Sequence, residues 1–286
     1  MEKIRKNKKV IAVFLIPAVL IYLCFELIPV VMSVYFSFND WPGLQAVPLK
    51  FVGFKNYSNL FHNAVFLKSL QNVLIYVVVS VILQVPIGFG LGLLIHHFKK
   101  GQRFFKAAFF IPMILSVTAV ALLWNFIYFP TDKGILNSLL IKIGLGNYIQ
   151  QWLVNPKTSL ICLIVVSTWT SVGYYMIICL AGLTSIPDSV LEAGELDGAT
   201  GWKKIWNLYI PMLWEPLKMS TIMVITGVLK IFDTVYILTP TGGTSNCTIV
   251  PALLMYNEAY RYGHYGTGSA IATVIFVLSA AVSIFS

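Results

Sequence analysis

Residues 184–211 read TSIPDSVLEAGELDGATGWKKIWNLYIP, and this stretch decides how the rest of the chain is understood. Ser185 is followed three residues later by Asp188, with Pro187 in the first turn, the signature of a helix start. A short helix is expected from Val190 through Leu196. Gly198 then supplies a break, because glycine reaches left-handed backbone geometry without a Cβ penalty. A second helix is expected from Thr200 through Tyr209, with Trp202, Trp206 and Tyr209 at i, i+4 and i+7 on one aromatic face. Asp188, Glu192, Glu195 and Asp197 place four of the chain's 11 acidic residues here. The segment is an elbow with an apolar underside and an acidic tip, and Pro211 opens the next apolar run.

On both sides of the elbow the chain is apolar for longer than the roughly 20 residues needed to cross a bilayer. Six such runs are expected: Val10–Phe36, Leu70–Ile95, Ala107–Phe129, Ser159–Leu183, Pro211–Leu238, and a sixth that begins near Gly268 and is still apolar at Ser286, as a span cut short would be. The 286 residues are 58% hydrophobic and only 11% charged, against roughly 25% charged in a soluble domain. That deficit excludes a soluble globule, a disordered chain and a nucleic-acid binder. Membrane-barrel strands would alternate over ten-residue segments, and nothing here does. The fold class is all-α, a polytopic membrane protein of six helices.

The net charge of +9 is then a topology signal. Lys3, Arg5, Lys6, Lys8 and Lys9 fill the tail. Lys99, Lys100, Arg103 and Lys106 fill the second-to-third connection, and Lys203 and Lys204 lie in the elbow. The opposite side carries the sparser Lys50, Lys55, Lys68, Lys133, Lys142, Lys157 and Arg261. Both termini are therefore expected in the cytoplasm, with residues 1–9 a basic tail and residues 10–286 the transmembrane domain that contains the loop 184–211. The first run is too long for a signal peptide and lacks a small-residue cleavage site.

The chemistry of an enzyme is missing. Cys24, Cys162, Cys179 and Cys247 form no disulfide framework or metal spacing and read as small hydrophobes. His62, His96, His97 and His264 have no companion Glu at zinc-protease spacing, and no phosphate-cradling loop or nucleophile elbow occurs. Few ionisable groups lie in the runs, where a gradient-driven carrier would need several. Lys230 and Asp233, at i and i+3 in the fifth run, share a helix face as either a structural ion pair or part of a polar path. Gly88 and Gly92, after Pro86, form a Gly-x-x-x-Gly pair suited to packing within the chain or to a subunit interface, and Pro86 is expected to kink the run.

The spacing Glu192-Ala193-Gly194-x3-Gly198-x9-Leu208-x-Ile210-Pro211 resembles the Glu-Ala-Ala loop of permease subunits from bacterial ATP-binding-cassette importers. Every interval is kept. Gly194 replaces the second alanine, and Leu208 and Ile210 are conservative exchanges. Asp197-Gly198-Ala199 is similar to the carbohydrate-importing, maltose-type branch. So are Phe51-x-Gly53-x-x-Asn56-Tyr57, Asn72, Phe110-Ile111-Pro112 with Trp124, Gly134-Ile135-Leu136-Asn137, and Phe232-Asp233 leading to Leu238-Thr239 and Gly242-Gly243. The chain departs from that branch in having Pro240-Thr241 before the two glycines and Thr244 after them.

The resemblance implies a type I importer permease fold in a bacterial cytoplasmic membrane. It implies that the loop is a coupling-helix pair docking on a separate ATPase, two copies of which bind ATP and magnesium, so that this chain carries no cofactor, metal or catalytic residue of its own. A second homologous permease, an extracytoplasmic binding protein, membrane lipid and a carbohydrate complete the implied partners, with no nucleic acid. Glu192, Ala193, Gly194, Asp197, Gly198, Ala199, Leu208 and Pro211 are the implied coupling residues. For the solute path it points to Tyr174, with Trp169, Lys230 and Asp233 as further candidates. The stretch Gly227 to Ile231 lacks the branch's sugar-binding polar residues, which argues against maltose-like contacts. The alternatives are another solute, such as a glycerophospho-compound, and an ion-coupled carrier.

Overall fold

A computed structural model describes residues 8–98 and 101–284. Of the basic residues expected to set the topology, Lys3, Arg5, Lys6, Lys99 and Lys100 lie outside the described residues, as do the side chains of Lys8 and Lys9. Among the described residues the regular structure is helical apart from an antiparallel ribbon with two residues in each strand, β1 (Asn39–Asp40) with β2 (Lys50–Phe51). It divides into two compact units, Met1–Asn63 with Leu254–Val277 and Ala64–Leu253 with Leu278–Ser286.

In the first unit, α1 (Lys8–Tyr22), a π turn (Leu23–Leu27) and α2 (Ile28–Ser37) run on as one apolar rod. Its large side chains, among them Phe14, Ile21 and Phe25, point outward, the reverse of a soluble helix and the arrangement that lipid favours. After the ribbon and α3 (Lys55–His62), the motif residues have structural work. Buried Asn56 donates through Nδ2 to the Ser37 and Asn39 carbonyls at 2.8 and 3.0 Å, and Tyr57 shares a 2.7 Å hydrogen bond with Ser37. Phe36, Trp41 and Tyr265 pack edge to face nearby.

The second unit is built on α4 (Ala64–His97) and α8 (Ser159–Thr184), which lie along each other. The buried stripe of α4 mixes small and polar residues (Ser69, Asn72, Ser80, Gln84, Gly88, Gly92) with Phe66, Val73, Tyr76 and Ile95, while Leu74, Val78 and Ile82 face out. This is how membrane helices approach closely without a hydrophobic driving force between them. A Cβ at Gly88 would lie 2.8 Å from the Tyr175 Cβ, and one at Gly92 3.2 Å from the Cys179 Cβ. Of the two uses for the Gly-x-x-x-Gly pair, packing within the chain is therefore the one made. Tyr76 reinforces the seam, its hydroxyl donating to the Leu163 carbonyl at 2.8 Å. The helix α4 continues through Pro86 as a single element.

Two expected spans are broken. The third run forms α5 (Gln102–Ile114) and α6 (Val117–Ile127), bent by 98° at Leu115 and Ser116. Pro112 lacks a backbone donor, and Ser116 caps α6 by accepting from the Ala119 amide at 3.2 Å. The fifth run does not continue from Pro211 to Leu238. Its membrane helix, α12 (Trp214–Leu229), stops short, and a separate α13 (Asp233–Leu238) follows a non-helical Phe232. The sixth is α14 (Tyr265–Ile284), starting three residues before Gly268.

Two loops are locked by single amides. Asn137, in α7 (Ile135–Lys142), is buried; its Nδ2 donates to the Phe129, Thr131 and Gln150 carbonyls, and its Oδ1 accepts from the Trp152 indole at 2.8 Å. Asn72 does the same for the Gly242-Gly243 loop, donating to the Asn246 and Ile249 carbonyls at 3.0 and 2.8 Å. Cys162, Cys179 and Cys247 are buried and free, whereas Cys24 is exposed on the first rod.

Candidate functional site

The elbow forms two arms. Ser185 does not start the first arm: its Oγ donates back to the Gly182 carbonyl at 2.7 Å and closes α8. The arm α9 (Asp188–Leu196) begins after the extended Pro187, with Asp188 in the first turn, where a carboxylate complements the helix dipole. It ends in a Schellman pair, Gly198 N–H to the Glu195 carbonyl at 3.0 Å and Ala199 N–H to the Gly194 carbonyl at 2.8 Å. Gly198 has φ +81° there, as its place in the sequence demanded.

The second arm is α10 (Gly201–Lys204), a π turn (Ile205–Tyr209) and α11 (Ile210–Met212). The wider π turn carries Tyr209 off the expected aromatic face. Trp202 and Trp206 still meet edge to face at 6.3 Å, but Tyr209 turns inward under Lys204. A 2.7 Å ion pair from Lys204 to Glu195 ties the arms together. That hydrogen bond raises the Lys204 pKa, against a smaller opposing effect of partial burial. Leu208 rests on Gly194, where an added Cβ would lie 3.3 Å from Leu208 Cδ2. The glycine that departs from the family pattern thus makes room for this contact.

The elbow is anchored from below and bare at its tip. Leu183, Ile186 and Leu213 form a buried cluster, against which Val190, Leu191, Tyr209 and Leu217 pack, together with Phe89 and Leu93 of α4. Of the implied coupling residues, Glu192, Ala193, Asp197, Gly198 and Pro211 are exposed, and Gly194, Ala199 and Leu208 half-buried. Leu196 is 89% exposed and was missed in the sequence. The signal was there, since Leu196 is four residues after Glu192 and shares its helix face.

A cavity of about 250 Å³ lies among α4, α6, α8, α12 and α13. Its polar lining is Gln84, Ser167, Thr170, Ser171, Tyr175 and Thr234, all without formal charge. A second cavity, about 390 Å³, is lined by Asn125, Tyr128, Gln151, Thr239, Thr241 and Thr244, again uncharged. None of the expected path residues is in either lining. Trp169 is 37% exposed and stacks edge to face on Trp124 at 5.8 Å. The Tyr174 hydroxyl reaches Met223 Sδ at 3.9 Å. Lys230 ends α12 and Asp233 begins α13, so they do not share a helix face, and among the described residues they form no salt bridge. Both are exposed. Each of the four immediately precedes a lining residue: Thr170, Tyr175, Ile231 and Thr234. No group of three or more His, Cys, Asp or Glu converges among the described residues.

Comparison with known proteins accords with this geometry. Residues 84–286 match the family model described as binding-protein-dependent transport system inner membrane component. The chain is 36% identical over 284 residues to the probable ABC transporter permease protein YurN of Bacillus subtilis, covering 98% of this chain and 96% of that one. It is 32% identical over 274 residues to the lactose transport system permease protein LacF of Rhizobium radiobacter, covering 95% and 90%. Among solved structures, it superposes on a chain of a bacterial ABC transporter involved in import of the acidic polysaccharide alginate. The TM-score is 0.84 at 22% identity, covering 99% of this chain and 95% of that one.

Proposed function

The chain belongs to the family of binding-protein-dependent transport system inner membrane components, and from that premise we propose that it is half of the pore of an ATP-driven sugar importer. Residues 10–286 are the transmembrane permease domain behind a cytoplasmic basic tail, residues 1–9. A second, homologous permease supplies the other half. An extracytoplasmic binding protein delivers the solute, and two copies of a separate ATPase hold ATP and magnesium, leaving this chain without a catalytic site.

The observation that carries the reading is the elbow's two-sided build: exposed Glu192 and Leu196 at the tip, and a buried Leu183–Ile186–Leu213 anchor beneath. Glu192 offers a charge-assisted hydrogen bond to a partner cation, and Leu196 offers an apolar knob for a groove. Gly198 and Ala199 set the angle between the arms, while Gly194 and Leu208 hold them together. Displacement of the tip by the ATPase then moves the spans as a two-state switch.

The solute class is supported by the two cavities, whose hydroxyl and amide groups suit a neutral carbohydrate. A glycerophospho-compound would call for a lysine or arginine in the lining, and neither lining has one. The path accordingly runs along Thr170, Tyr175 and Thr234, one residue on from Trp169, Tyr174 and Asp233; Lys230 stands at the margin. The related lactose permease supports the same class.

The test is uncoupling in the assembled transporter. Glu192→Lys reverses the tip charge, and Gly198→Pro forbids φ +81° and removes the amide bonded to Glu195. Both variants are expected to stay in the membrane and to uncouple ATP hydrolysis from uptake, so that uptake is lost while hydrolysis continues without responding to solute. Wild-type hydrolysis and uptake in both would refute the coupling role.

A further inference from the structure

The cavity of about 250 Å³ among α4, α6, α8, α12 and α13 is lined by two buried polar groups that nothing in the fold uses. Gln84 of α4 is 2% exposed and Tyr175 of α8 is 7% exposed. Among the described residues, neither the Gln84 amide nor the Tyr175 hydroxyl has a hydrogen-bond partner. Close helix contact brings the two together. Gln84 and Gly88 lie a turn apart on α4, and a Cβ at Gly88 would come within 2.8 Å of the Tyr175 Cβ. Tyr175 is therefore seated on α4 one turn from Gln84.

The same seam satisfies its polar groups where the helices close. Two turns before Gln84, the Tyr76 hydroxyl donates to the Leu163 carbonyl at 2.8 Å and meets the Ser167 hydroxyl. The Ser80 and Thr168 hydroxyls are unpartnered as well, but they are sealed in protein. The Gln84 amide and the Tyr175 hydroxyl are not sealed, and the surface they reach is the cavity. An unpartnered buried amide is destabilising, whereas a methionine would fill the same length without that penalty. The walls that α6 and α12 supply are apolar, Val117 and Val120 with Val224 and Val228. Apolar walls with a few convergent polar groups suit a sugar ring, which carries hydroxyls at its edge and C–H groups on its faces.

We propose that Gln84 is a specificity-determining residue for the solute, its amide gripping two adjacent hydroxyls of one sugar ring with the Tyr175 hydroxyl on a third. The proposal rests on the sugar-importer reading and adds to it the chemistry that is recognised. A primary amide presents an acceptor and a donor side by side, the match for one hydroxyl that donates and a neighbour that accepts. A site built to bond a hydroxyl discriminates against the analogue that lacks it, because its own buried group is then left unpaired.

The test is ATP-driven uptake by the assembled transporter, with its binding protein, in proteoliposomes. Of lactose, maltose, melibiose and cellobiose, the disaccharide taken up fastest is compared with its monodeoxy analogues. Gln84→Met keeps the length of the side chain and removes the amide. The ratio of parent to analogue uptake is expected to be about fivefold smaller in Gln84→Met than in the wild type at two adjacent ring positions, the worth of one hydrogen bond, and unchanged elsewhere. The binding protein's own preference is common to both transporters and cancels from this comparison. Tyr175→Phe is expected to reduce the ratio similarly at one further position. Because no bond within the chain is lost, Gln84→Met should melt in detergent at or above the wild-type midpoint. Ratios equal to the wild type's at every position overturn the proposal, and so does a lowered midpoint, which would make Gln84 a structural residue of the seam. A wild type that takes up none of the four sugars would bring down the neutral-sugar reading itself, and this proposal with it.

Discussion

At the scale of single residues, glycines and asparagines hold this molecule together. Gly173 is the tightest point, where an added Cβ would collide with the Phe109 carbonyl oxygen, so α5 and α8 touch backbone to backbone. Gly173→Ala is expected to cost about 1–3 kcal/mol as an overpacking substitution, towards the upper end because neither backbone can move aside. A clear drop in the detergent melting midpoint would show it, and an unchanged midpoint would count against the packing. Asn137 works through polarity: removing its amide orphans the Phe129 and Gln150 carbonyls and the Trp152 indole, while the Thr131 carbonyl keeps the Gly134 amide. Each orphaned buried group costs about 1–3 kcal/mol. Asn137→Ala should therefore expose the loop between α6 and α8 to limited proteolysis; a cleavage pattern like the wild type's would contradict that.

At the scale of elements, the elbow matters more than any span. Its two arms are joined by one Schellman pair and one ion pair, but its hold on the membrane helices is the apolar cluster around Leu213. Truncating that side chain, which is fully buried, is expected to cost about 2–5 kcal/mol locally. In Leu213→Ala the elbow should loosen from α4 and α8 while the spans stay packed. Faster hydrogen exchange confined to residues 186–213 is the predicted signature; uniform exchange throughout would contradict it. The elbow's break at Gly198 was legible in the sequence because a glycine turn is a local signal, whereas its start moved from Ser185 to Asp188 because the Ser185 hydroxyl bonds back to Gly182. The π turn was not legible, because its period depends on how Tyr209 packs beneath Lys204.

At the scale of the whole molecule, the four expected path residues show what a sequence leaves open. Trp169, Tyr174, Lys230 and Asp233 are each one position from a lining residue. One position on a helix is a rotation of about 100°, and the chain alone does not say which face its neighbours cover. With Thr170 and Thr234 in the lining, Thr170→Val and Thr234→Val are each expected to weaken solute handling about fivefold, the value of one hydrogen bond of about 1 kcal/mol. Measured uptake of a neutral oligosaccharide would show this, and glycerophosphodiesters should not compete; strong competition by them would favour the other solute class.

The sequence by itself determined the membrane class, the number of apolar runs, the elbow and its family, because these rest on composition, length and residues at fixed spacing. The tertiary structure alone decided where the third and fifth runs break, which side of α8 faces the cavity and which residue of α9 is left bare. Those depend on contacts between distant segments: Gln84 with Thr234 around one cavity, and Leu183 with Leu213 beneath one elbow. Most positions on each run are apolar, so hydrophobic periodicity has little contrast with which to orient a helix. Only small and polar residues meeting across helices supply that direction.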